Sequence, residues 1–168
     1  MNGFSMDKWP KEYGEMILLN GVSGFNGPNP KTDGEYFKKI CYSVIQNIDG
    51  NVMSFCEPGV ARHYYIVKVE VSELKLYILL NLIYPFVTFA SSVDPGNIRF
   101  IQHEKLTAEF SPFYRVLSPT ELNEPLVIRD RKGRIIVENK NELNDAELGL
   151  IKYFNSKTVG DIVFNYWD

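Results

Sequence analysis

The chain has 168 residues, 45% of them apolar and 14% aromatic, and 18 basic against 21 acidic side chains leave a net charge of −3. This length and apolar content support a buried core without metal or disulfide staples and exclude a disordered chain. The near-balanced charge argues against a nucleic-acid binder and against a polybasic membrane anchor.

The opening stretch "MNGFSMDKWPKEYGEMILLNG" lacks the basic start and long apolar run of a secretory signal, so a cytoplasmic location is expected. Cys41 and Cys56 match neither a disulfide framework nor a zinc-type pair and are expected as reduced thiols. A short strand is predicted over residues 15–22, followed by the loop "NGVSGFNGPNP". The spacing of Gly21, Gly24 and Gly27 in that loop differs from the patterns that cradle phosphates.

Phe37, Ile40, Cys41, Val44, Ile45 and Ile48 recur at the period of an amphipathic helix, predicted over residues 33–48. Thr32 with Glu35 reads as its capping box, and Gly50 as the residue taking a left-handed conformation at its end. Two strands follow, "NVMSFC" and "HYYIVKVEV", joined through "EPGV" in a register that sets Ser54 opposite His63. The segment "LKLYILLNLIYPFVTFA", residues 74–90, is too short and too interrupted by Lys75, Asn81 and Pro85 to span a membrane. It is expected as one buried strand bent at Pro85, at the centre of an antiparallel meander.

After the turn "SVDPGN" come a strand "IRFIQ" and an irregular region, in which Ser118, Pro119 and Glu121 specify one helical turn. "LVIRDRKGRIIVE" reads as a hairpin whose tip collects Arg129, Arg131, Lys132 and Arg134 around a single Asp130. Two helices then close the chain. Asn144 and Glu147 form the capping box of the first, and Thr158 with Asp161 starts the second. In the last helix Val159, Ile162, Val163 and Tyr166 form the apolar stripe, with Phe164 and Trp167 to one side as core residues or contact aromatics.

Chemistry-bearing side chains are sparse. His63 with Cys56 offers a cysteine–histidine pair across the hairpin, the basis of an alternative reading as a small hydrolase or transferase. "QHEKL" lacks the second histidine of a zinc-peptidase helix, and Glu142, Asp145 and Glu147 fit a helix start, where negative charge is favourable. Neither a metal nor a cofactor is therefore expected. Asn81, alone among apolar neighbours, is expected to hydrogen-bond a nearby backbone.

The succession "YILLNLIYPFVTFASS", "LSPTELNEPL" and "LNDAELGLIKYF" running into "TVGDIVFNYWD" resembles the immunity proteins of bacterial polymorphic and contact-dependent toxin systems. The likeness covers roughly the second half of the chain and is one of style and order. It implies a non-catalytic cytoplasmic protein that binds and neutralises a cognate toxin, with no nucleic acid or membrane as partner. A small-ligand-binding regulatory domain accounts for the same residues. Aromatic and arginine side chains dominate binding hot spots, so Arg129, Arg131, Lys132, Tyr166 and Trp167 are the candidate partner-binding residues. No internal repeat or linker interrupts residues 1–168, so one domain is expected. Its predicted class is α+β, a mostly antiparallel sheet centred on residues 62–90 with the 33–48 helix and the C-terminal helix pair packed on it.

Overall fold

The structure, a computed structural model, describes residues 15–28 and 31–167. The N-terminal stretch read above for the absence of a signal lies mostly outside them, as does the end of the glycine-rich loop. The fold is α+β. A meander of five antiparallel strands, in sequential order, forms the frame: β1 (Asn51–Cys56), β2 (Tyr64–Val71), β3 (Leu74–Asn81), β4 (Phe86–Asp94) and β5 (Asn97–Ile101). A two-residue strand β6 (Arg115–Val116) pairs in parallel with the start of β4.

Alternation along the central strands divides the core in two. Tyr65, Val67, Val69, Leu76, Ile78, Leu80, Val87 and Phe89 point to one face, where they meet α1 (Gly34–Asn47) through Phe37, Cys41, Val44 and Ile45. A helix that the sequence concealed, α2 (Glu104–Phe110), completes that layer with Leu106 and Phe110. Its seven residues carry only these two buried apolar positions, and its N-cap is the unusual His103, whose Nδ1 accepts from the Leu106 N–H. Helices this short show little periodicity.

On the opposite face Tyr64, Leu79 and Phe86 meet Leu18, Leu19 and Val22 together with the C-terminal elements. These are the single turn α3 (Pro119–Leu122), the hairpin β7 (Ile128–Arg131) and β8 (Arg134–Val137), α4 (Asp145–Phe154) and α5 (Val159–Val163). Reciprocal capping boxes at Ser118/Glu121, Asn144/Glu147 and Thr158/Asp161 start all three helices as expected. Each satisfies backbone donors that the first turn leaves without partners.

Several expectations are corrected. Residues 15–22 form no strand: Leu18 makes one bridge to Asn141, and the backbone then turns at Gly21, whose φ is 78°. Helix α1 is capped by Asp33, not by Thr32 and Glu35; the Thr32 hydroxyl instead donates to the carbonyls of Asn81 and Leu82. At its end Asp49 takes the left-handed conformation, with φ 58°, while Gly50 permits close approach, since a Cβ there would lie 2.7 Å from the Glu70 carbonyl. Residues 74–90 are two strands of a hairpin rather than one bent strand. Asn81 makes the reversal: its Oδ1 accepts from the N–H groups of Ile83 and Tyr84, both at 2.9 Å, just before Pro85. The last helix stops at Val163, and burial then falls on Phe164 and Trp167, leaving Tyr166 the partly exposed aromatic.

Candidate functional site: a cationic hairpin docked on the core

The β7–β8 hairpin is built by a two-residue loop, Lys132 and Gly133, with φ of 53° and 82°. Two successive positive φ angles are the primed turn whose twist matches that of the strands. The Asp130 carboxylate accepts from the Gly133 N–H at 2.9 Å and closes the loop. Ile135 and Val137 turn inward to the core beside Ile151 and Leu148 of α4. Asn139 and Asn141 bind the hairpin's base: Asn139 accepts from the Val127 N–H at 2.7 Å, and Asn141 donates to the Val137 carbonyl at 2.9 Å. From α4, Lys152 Nζ donates to the Gly133 carbonyl and Asp145 pairs with Arg134 at 3.0 Å.

Anchored this way, the hairpin shows solvent its other face. The register Arg129↔Ile136 and Arg131↔Arg134 puts these four side chains together, with Val127 in line. Val127 is 53% and Ile136 40% exposed. Arg129 is paired with Glu138. Arg131 and Lys132 have no ion-pair partner among the described residues. Beside this face, an open cleft of about 340 Å³ lies along β8 next to α4, lined by the outward Ile136, the inward Ile135 and Val137, Asn141 and Leu148, with Arg131 and Arg134.

The hairpin thus unites Arg129, Arg131 and Lys132, three of the five residues singled out in the sequence. Tyr166 and Trp167 line a separate groove of about 500 Å³ with Phe100, Phe154, Lys157 and Asp161. Its Asp161 and Asn165 side chains are already engaged. The Asp161 carboxylate accepts from the N–H groups of Lys157 and Thr158, and the Asn165 amide donates to the Ser23 and Ile162 carbonyls. Trp167 is 8% exposed, stacked on Phe154 at 5.6 Å between ring centroids, and so serves the core.

Cys56 and His63 are not brought together as the predicted register required. Ser54 stands opposite Lys68, not His63, and Cys56 opposite Ile66, because the connection is a longer loop than "EPGV". His63 therefore lies three positions along the strand from the Cys56 partner, about 10 Å at strand spacing. Its ring hydrogen-bonds Asn165 Oδ1 at 2.7 Å and packs edge-on against Phe25. Among the described residues no group of three or more His, Cys, Asp or Glu side chains is placed to hold a metal ion. Nor is any described helix long and apolar enough to cross a membrane.

No family model, no curated protein and no solved structure matches the chain.

The cleft has no local signal in the sequence: Arg134 lies on the hairpin and Leu148 on α4, and only the packing of hairpin on helix makes them neighbours.

Proposed function

We propose that this protein is a non-catalytic, cytoplasmic protein-binding domain that neutralises a cognate bacterial toxin, with the β7–β8 hairpin as its principal contact. One observation carries the reading: a hairpin fixed to the core on one face presents Arg131 and Lys132, without an ion-pair partner among the described residues, beside the exposed Val127 and Ile136 on the other. Arginine is enriched in binding hot spots, and the exposed aliphatic side chains beside it offer apolar contact area. Because the hairpin is held at its base, along α4 and through its turn, it loses little conformational freedom on binding. The resemblance of the second half of the chain to toxin immunity proteins supplies the class of partner.

Affinity capture from the native host, followed by expression of the captured protein in test cells, checks this reading. The captured protein is expected to arrest growth, and co-expression of the present chain to relieve the arrest through a stoichiometric complex. A captured protein that leaves growth unchanged, or an arrest that co-expression does not relieve, overturns the proposal.

A further inference from the structure

We infer that the cleft between β8 and α4 receives an acidic segment of the partner protein, one aliphatic or aromatic side chain seated on Ile135, Ile136, Val137 and Leu148 while flanking carboxylates meet Arg131 and Arg134. This inference rests on the reading of the protein as a binder of another protein. The cleft joins two demands. An uncharged apolar occupant leaves the Arg131 guanidinium, which has no ion-pair partner among the described residues, unanswered, and a purely hydrophilic acidic occupant leaves the exposed Ile136 side chain in water. Only an occupant with both features answers both.

Charge distribution points the same way. A chain of net charge −3 concentrates Arg129, Arg131, Lys132 and Arg134 within six residues; Glu138 and Asp145 pair with Arg129 and Arg134, and the Asp130 carboxylate is engaged in the turn, which leaves Arg131 and Lys132 as the cations without an ion-pair partner among the described residues. Such a local positive field steers acidic partners and rejects basic ones. Arg134 is held by Asp145 in an exposed pair, with both side chains largely solvated, so a partner carboxylate readily replaces or joins it. The size of the cleft favours a side chain carried on a larger body. Small-ligand sites enclose most of their ligand, whereas this cleft lies open along its length.

The test uses the full chain, isotope-labelled at nitrogen, titrated with blocked peptides while its amide resonances are followed. Asp-Glu-Leu-Asp-Glu is expected to shift the amides of residues 131–137 and Leu148. Asn-Gln-Leu-Asn-Gln and Asp-Glu-Ser-Asp-Glu are each expected to bind about tenfold more weakly. Arg131→Glu and, separately, Ile136→Asp, both at exposed positions, should weaken the first peptide about tenfold with the rest of the spectrum unchanged. Equal shifts from the carboxylate-free peptide, or none at these amides up to about 10 mM, overturn the inference. It is also overturned if decanoate binds the cleft more tightly than the peptide, or if the same amides shift with protein concentration alone, the sign of a second copy in the cleft. Growth rescue separates the two proposals. Rescue unaffected by Arg131→Glu and Ile136→Asp removes this inference and leaves the function; peptide binding without any neutralised toxin does the reverse.

Discussion

Glu147 shows how much one side chain can do at two levels. As the third helical residue of α4 its Oε1 accepts from the Asn144 N–H at 3.1 Å, the local capping role that the sequence announces. The same oxygen accepts from the Gly21 N–H at 2.8 Å, and Oε2 accepts from Ser23 N–H at 3.0 Å and Ser23 Oγ at 2.5 Å. The glycine-rich loop, whose spacing fits no phosphate motif, thus wraps an internal carboxylate that is wholly buried. Glu147→Gln turns one acceptor into a donor facing donors. It should destabilise the protein by about 3 kcal/mol in urea unfolding with an unchanged denaturant slope, and Ser23→Ala by only about 1 kcal/mol. Equal stability of Glu147→Gln and the parent protein would refute this account. Asn81 is the second such residue: besides turning the β3–β4 hairpin, it donates to the Val22 and Val163 carbonyls at 2.8 and 2.7 Å, joining the N-terminal segment to α5.

Among elements, the C-terminal segment after α5 is the clearest case of burial departing from helical periodicity. The helix ends at Val163, after which the chain extends and makes bridging contact through Tyr166 with Arg62. Extension places Phe164 against Tyr64 and Trp167 between Phe154 and Phe25, with ring centroids 5.6 to 5.8 Å apart. Trp167→Ala therefore opens a cavity in the core and is expected to cost about 3 to 5 kcal/mol, read as a lower midpoint of thermal unfolding. Tyr166→Ala, at a position 36% exposed, should cost about 1 kcal/mol or less. The reverse order of the two costs would contradict the packing. It follows that loss of partner binding in Trp167→Ala reports damage to the fold, and the exposed hairpin variants are the informative ones.

At the scale of the whole molecule, two apolar layers share one sheet, and both bury ionisable groups in neutral form. Burial pushes the Tyr64 phenol from 10.0 up to about 12, with a smaller opposing effect of Arg62, and it also raises Tyr65, Tyr114 and the Cys41 thiol, whose ordinary value is 9.0. As the pH climbs past the ordinary values, the unfolded chain releases these protons while the folded chain keeps them. Stability is then full below the ordinary values and falls as the pH rises past them, for Tyr64 through the window from 10.0 to about 12, at up to about 1.4 kcal/mol per pH unit. Tyrosinate absorbance from the buried phenols should rise together with loss of the far-ultraviolet circular dichroism signal. Titration of all ten tyrosines near their ordinary value with the fold intact would refute this.

By itself the sequence determined what depends on neighbours along the chain. The stripe from Phe37 to Ile48 produced α1 within one residue at either end, and the three capping boxes produced the starts of α3, α4 and α5. Alternation from Tyr64 to Val71 and the turn residues around Asp130 and Gly133 likewise produced β2 and the basic hairpin. Each of these signals is a period or a cap complete within a few residues, and a local hydrogen bond or apolar face reads it out. Tertiary structure decided the rest, because its partners are far apart in sequence. The Asn81 amide that turns the β3–β4 hairpin locally also finds the Val22 and Val163 carbonyls only in the folded chain, and Glu147 found its role in a loop more than a hundred residues away. The candidate site divides along the same line: the cluster of arginines is a property of six consecutive residues, whereas the apolar cleft beside them exists only because β8 packs on α4.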